Sequence, residues 1–345
     1  MRGERLNQLL GVVLCAVFVA MSAGSVWSAE RIIYVDAAAT GAGDGSSWVD
    51  AYHDLQDALA EASESLPAVI HVAQGTYRPG PPMGETSPSW NATFQLHNHV
   101  TLEGGYAGVL AAEPNDRDVE CYPTVLSGDL AGNDSPDEDW RSPARQDNCR
   151  RIVTASGTDA TAVIDGFTIT GAAEYGMWMQ PGSPSVFRCR FVENAITGIY
   201  AWDCNSAVVQ CAFERNGRLV SWGGFWVADS DLTLTDCAFV GNQGGGLNSS
   251  GTLDMRRCSF VAHRALSTAG IDHVGDLMAR KCRFVSNEGS AVNCLGSATL
   301  IDCEFTGNSF RYARVVEAWG SLILEGCEFV GNSGSGMSGG AVAIC

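Results

Sequence analysis

One set of residues recurs at intervals of about two dozen positions and carries the clearest chemistry: Tyr200, Trp226, Asn248, Asp272, Asn293 and Glu317, with Trp202, Trp222, His273 and Trp319 close by in sequence. Indole and phenol rings offer flat apolar faces to pyranose rings. Amides and carboxylates offer partners to sugar hydroxyls, so this set is predicted to bind a polysaccharide or a cell-envelope glycan. Asp272 and Glu317 fall two repeats apart, which at strand spacing is about 9 to 10 Å. That is the upper end of the carboxylate separation used by inverting glycosidases. The plainer alternative is that exposed strand positions favour Trp and Tyr in any case.

A second column is mostly charged: Arg188, Gln210, Asp236, Arg257, Lys281, Asp302 and Gly326. Arg256, Arg257, Arg280, Lys281 and Arg283 place five cations within 28 positions of an otherwise acidic chain, a patch on which an anionic glycan could dock. The competing reading is a ladder of surface ion pairs, Asp236 with Arg257 and Lys281 with Asp302. His97 and His99 offer two imidazoles on one strand face, but two ligands are fewer than a metal site needs.

The elements that must position these residues are read from a stricter repeat. Cys-x-Phe occurs at Cys189/Phe191, Cys211/Phe213, Cys237/Phe239, Cys258/Phe260, Cys282/Phe284, Cys303/Phe305 and Cys327/Phe329, with Phe intervals of 22, 26, 21, 24, 21 and 24. Three residues after each Phe stands Asn194, Asn216, Asn242, Asn287, Asn308 or Asn332, with His263 as the exception. Units this short leave no room for helix pairs. Each reads as three short alternating strands separated by Gly, Asn and Asp turns, one coil of a parallel β-helix. The fold class is therefore all-β, a right-handed parallel β-helix of three-strand coils with a short N-terminal capping helix. The Cys and Phe columns are predicted to face inward, with the thiols acting as small buried hydrophobes. Adjacent thiols also fall within disulfide range.

Residues 30–93 are expected to form the N-terminal cap and first coil, with a strand Ile32 to Asp36, a helix from about Asp50 to Ser63 and a strand Val69 to Val72. Leu55, Ala58, Leu59 and Ala62 share one face of that helix and suit it to covering the first coil. Residues 94–345 continue the solenoid, with an acidic loop insertion at 112–151 that a Cys121–Cys149 disulfide could close. The chain stops at Cys345, in the middle of a coil, which suggests a missing carboxy-terminal part.

With 39 acidic and 21 basic residues the formal charge is −18, so a nucleic-acid partner is not expected. Arg2 and Arg5 precede a short apolar run, Leu9 to Ala20, followed by small residues, so residues 1–29 read as a signal peptide. The mature chain is expected to be secreted, periplasmic or at the cell surface, and not membrane-spanning.

Ile33-Tyr-Val-Asp36, Asp44-Gly-Ser-Ser-Trp48, Asp54-Leu-Gln-Asp-Ala58 and Ile70-His-Val-Ala-Gln-Gly-Thr-Tyr77 resemble the amino-terminal part of secreted right-handed β-helix proteins of the pectin-lyase-like superfamily. The Phe-x-x-Asn units with Gly339-Gly340-Ala341 also resemble repeats of chlamydial polymorphic outer membrane proteins. The first resemblance implies a further chemistry, in which calcium held by acidic side chains grips a uronate carboxylate while an Arg or Lys of lowered pKa removes the α-proton. Lys281 and Arg257 would be the bases, Asp236 and Asp302 the calcium ligands, and Arg256 and Arg280 would bind substrate. No lyase motif is matched residue by residue. Three function classes remain: a glycan-binding surface protein, a calcium-assisted lyase or glycoside hydrolase, and a structural or adhesin stalk.

Overall fold

The computed structural model describes residues 31–64, 67–80, 89–135, 142–217, 222–310, 314–334 and 342–344. The expected signal peptide and the Gly339-Gly340-Ala341 motif lie outside them. The described strands form a twenty-stranded and a ten-stranded sheet. The smaller sheet runs in chain order from Gly75–Tyr77 to Glu328–Val330, one strand per coil, each parallel to the next. A chain that lays successive strands side by side in one direction is a solenoid, and the fold is the right-handed parallel β-helix expected from the repeat.

The repeat works by register. Phe191, Phe213, Phe239, Phe260, Phe284, Phe305 and Phe329 pair in turn, and their rings stack at 4.6 to 5.1 Å with interplanar angles of 3 to 7°. Val186, Val208, Leu234, Met255, Ala279, Leu300 and Leu324 form a second column, and Ile199, Phe225, Leu247, Ile271, Val292 and Val316 a third. Glycines before the third column let coils close on the Phe stack: a Cβ at Gly246 would lie 2.5 Å from Phe260.

Two corners of each coil turn through left-handed backbone. The first holds the mostly charged column: Arg188, Gln210, Asp236, Arg257, Lys281 and Asp302 have φ of 47 to 56°, and Gly326 has 62°. The second holds Glu193, Arg215, Gly241, Ala262, Ser286, Gly307 and Gly331, immediately before the asparagine column. The buried asparagines hold this corner against the usual cost of left-handed backbone. The backbone N–H and Nδ2 of Asn194 both donate to Asn216 Oδ1 at 3.0 Å, and Asn216 Nδ2 also donates to the Phe191 carbonyl at 2.8 Å. Asn287, Asn308 and Asn332 repeat the pattern.

The capping helix spans Leu55–Glu64, later than the sequence pattern suggested. Residues 50–53 belong instead to a turn: Asp50 accepts from the Ala42 N–H and the Ser47 hydroxyl, and Tyr52 is bridged to the first strand. Asp54 Oδ1 accepts from the Gln56 N–H and caps the helix at its new start. Leu55, Ala58, Leu59 and Ala62 are buried as expected.

The region 112–151 is not one loop. Thr124–Ser127 is a core strand of the ten-stranded sheet and divides it. The first part crosses the wall as a strap, pinned by Arg117, whose Nε donates to the Gly104 carbonyl at 3.0 Å and whose Nη2 lies 3.1 Å from Asp165 Oδ2. Two left-handed glycines admit it, since a Cβ at Gly105 or Gly166 would come within 2.8 or 2.7 Å of Val119. The anticipated Cys121–Cys149 disulfide does not form. Cys121 is exposed on the strap, Cys149 is buried in the core, and both are free thiols. The seven ladder cysteines are free as well. Burial raises the pKa of Cys189, to about 12, and that of Cys211, and backbone carbonyls accept from ladder thiols, as at Cys211 and Val186.

Candidate functional site

The recurring row of the sequence is one outward column on the larger sheet. Tyr200 pairs with Trp226, then Asn248, Asp272, Asn293 and Glu317 follow in register. All are half-buried between inward neighbours, as strand alternation requires. The column starts one coil before Tyr200, at Trp178, which pairs with it. Gly176-Met177-Trp178 has the same form as Gly198-Ile199-Tyr200, in a coil that lacks the Cys-x-Phe mark.

The aromatic half of the column behaves differently from an open platform. Trp178 and Tyr200 stack at 4.5 Å and 6°, and Tyr200 and Trp226 at 4.4 Å and 12°. Trp222 leans on Trp226 at 5.6 Å, and Tyr175 on Tyr200 at 4.9 Å. Coil spacing sets this: rings one above another cover each other's faces and present edges to solvent. Arg151 closes the free face of Trp178, with its guanidinium 3.6 Å from the ring centroid. Burial, and secondarily the neighbouring Arg150, lower its pKa from the usual arginine value.

On this face the open indoles among the described residues stand one alternation further along. Trp202 lies two residues beyond Tyr200 and is 44% exposed; Trp319 lies two beyond Glu317 and is 57% exposed. Between them on the same face are Val274 and Leu295, paired in register and 50% and 46% exposed. Five coil spacings separate the two indoles along the axis, about 24 Å. Beside this strip Asn293 Nδ2 donates to Asp272 Oδ1 at 2.8 Å, and Glu317 lies 3.6 Å from Arg314. His273 is not on this face. It points inward, fully buried, with Nδ1 2.9 Å from the Ser249 hydroxyl.

The charged corner is largely self-neutralised. Arg257 Nε and Nη2 donate to the two carboxylate oxygens of Asp236 at 2.6 and 2.7 Å. That bond lowers the Asp236 pKa and raises that of Arg257, the opposite of what a general base requires. Asp236 and Asp302 are separated by Arg257 and Lys281 in successive coils, about 14 Å by strand spacing, so one calcium ion cannot bridge them. Arg256 and Arg280 both approach Asp254, at 3.3 and 3.9 Å, and Arg283 pairs with Glu304. The expected Lys281–Asp302 pair is not formed; Lys281 is exposed at its corner. Residues 97–99 form a turn, in which His99 has φ of 62°, so His97 and His99 do not share a strand face. Among the described residues no three His, Cys, Asp or Glu side chains are grouped to hold a metal, and no helix is long and apolar enough to cross a membrane.

The fold and this face define a parallel β-helix with a patterned outer wall. A family described as "Right handed beta helix region" matches residues 152–310. None of the curated proteins matches the sequence. Among solved structures the chain is similar to tailspike gp49 of the Acinetobacter baumannii bacteriophage Fri1, a capsular polysaccharide depolymerase, at 10% identity and a TM-score of 0.43. That alignment covers 91% of this chain and 62% of the tailspike, so the chain spans less than two thirds of its length. It is also similar to an alginate lyase from Paenibacillus sp. str. FPU-7, at 15% identity, a TM-score of 0.37 and coverage of 89% and 98%. A third is PfbA, a surface adhesin of Streptococcus pneumoniae, at 10% identity, a TM-score of 0.39 and coverage of 83% and 89%.

Proposed function

We propose that this protein binds a polysaccharide laid along the solenoid axis between Trp202 and Trp319. The observation that carries the reading is the pair of exposed indoles on one face, with apolar Val274 and Leu295 between them and Asn248, Asp272, Asn293 and Glu317 alongside. Sugar rings present apolar C–H faces and polar rims, and a strip of this composition complements both. Parallel strands keep the strip straight and evenly spaced, so a linear polymer can meet the same kind of contact at each coil.

The reading includes export. Arg2, Arg5 and the apolar run Leu9 to Ala20 have the form of a secretory leader, and a cell-envelope or extracellular glycan is met outside the cytoplasm. The likeness to chlamydial outer membrane protein repeats agrees with a surface location. Hydrolysis is the second reading, favoured by the spacing of Asp272 and Glu317, two coils apart on the same strip.

Affinity electrophoresis of the folded protein in gels containing neutral and acidic polysaccharides tests binding. Retardation by at least one polymer, relieved by Trp202→Ala and by Trp319→Ala, is expected; free migration in every gel rejects the reading. Reducing-end assays on the retarding polymer decide hydrolysis, which fails if no ends accumulate above those of the Asp272→Asn variant.

A further inference from the structure

We infer that the glycan carries acidic groups and that Arg151 is the residue that receives one of them, as a uronate carboxylate or a sulfate ester. The inference rests on the proposed glycan-binding reading and names the class of its ligand. Of the five cations predicted from sequence to attract an anion, Arg256, Arg257, Arg280 and Arg283 are matched to Asp254, Asp236 and Glu304, and Lys281 stands exposed at its corner. Arg151 is different. Among the described residues its side chain makes no ion pair or hydrogen bond, and its Nε is buried without a partner. Its nearest cationic neighbour, Arg150, already takes Glu174 at 2.9 Å.

A half-buried guanidinium without a counter-charge is costly, because burial removes water that would otherwise solvate it. Stacking on Trp178 offsets part of that cost and fixes the plane of the fork. An anion with two oxygens in one plane would supply the missing partner bidentately, which is the recognition arginine geometry suits. Position supports the same conclusion. Arg151 caps the stack of Trp178, Tyr200 and Trp226, and Trp178 lies one coil before the coil that carries Trp202. A polymer running along the strip past Trp202 therefore passes beside the Trp178 column that the guanidinium caps, one alternation to the side. In a chain of formal charge −18 an anionic polymer is repelled over much of the surface, so an uncompensated cation beside the aromatic column is a place for the acid to lie.

The test compares matched pairs of polymers by isothermal titration: polygalacturonate against its carboxyl-reduced galactan, and a sulfated galactan against its desulfated form. The wild-type protein is expected to bind one acidic member at least tenfold more tightly than its neutral partner, with the preference shrinking as salt rises. Arg151→Gln should bring the two within about twofold while leaving the neutral affinity unchanged. Which acidic member shows the preference identifies the carboxylate or the sulfate. Equal binding of acidic and neutral members by the wild type, or a preference that survives in Arg151→Gln, overturns the inference and leaves the glycan reading intact, provided Trp202→Ala still weakens binding. If no polymer binds, the glycan reading fails and the inference fails with it. Circular dichroism and the denaturation midpoint of Arg151→Gln separate a recognition effect from misfolding.

Discussion

Asn242 donates its backbone N–H to Nδ1 of His263 at 3.0 Å, so a histidine serves as one rung of a buried ladder otherwise built from asparagine. The next rung is ordinary: the His263 N–H donates to Asn287 Oδ1 at 3.1 Å. Only the neutral imidazole with an unprotonated Nδ1 can accept from Asn242, and the fully buried ring has its pKa lowered to about 4, chiefly by desolvation.

That rung makes stability depend on acid. Unfolded histidine titrates near 6.5, above the folded value, so the unfolded chain binds the extra proton first. The contribution is complete above about pH 6.5 and is lost as pH falls towards 4, roughly 3 kcal/mol in all. Urea denaturation of wild type and His263→Asn between pH 7.5 and 4.5 checks this. The stability difference between them should shift in favour of the variant as pH falls, and a constant difference would exclude the mechanism.

The phenylalanine stack should be the most sensitive part of the core. Phe260→Ala removes a fully buried ring held between Phe239 and Phe284 and should cost about 3 to 5 kcal/mol. A denaturant midpoint unchanged from wild type would mean that the coils can close over the vacancy.

The left-handed corner tolerates side chains by shape rather than by charge. Gln210, with φ of 56°, sits there without an ion pair. Gln210→Gly should leave stability near wild type, whereas Gln210→Val should lower it by about 1 to 2 kcal/mol, because β-branching is poorly accommodated at positive φ. Thermal denaturation of the two variants provides the comparison.

Length of ligand should reveal the strip between the indoles. An oligosaccharide too short to cover five coils reaches one platform and should lose about tenfold in affinity from either Trp202→Ala or Trp319→Ala, but not from both. A long polymer should feel both substitutions. Titration with a size series checks this, and equal responses at every length would show that the two indoles do not share one ligand.

The strap should loosen without unfolding the solenoid. Arg117→Ala removes its ties to the Gly104 carbonyl and Asp165, so hydrogen exchange in residues 107–123 should rise while the strands beneath stay protected. Uniform acceleration over the whole chain would instead make the strap part of the core.

Much of the architecture was legible in the residue types. The Cys-x-Phe columns, the inward apolar positions and the asparagine ladder depend on a period of one coil, and a solenoid brings residues one period apart into contact. The same logic placed Tyr200, Trp226, Asp272, Asn293 and Glu317 on one column. What the repeat could not convey was how each side chain spends its contacts. It did not show that Trp178, Tyr200 and Trp226 cover one another's faces, or that Trp202 and Trp319 stay open. Nor did it show that Asp236 commits both oxygens to Arg257 while Arg151, from a coil without the repeat mark, is left without a counter-ion. Periodicity determines which residues are neighbours along the axis, because the backbone ladder enforces it. Ring orientation, ion pairing and exposure are decided by packing across coils and by the strap and corners around them, and those exist only in the folded chain.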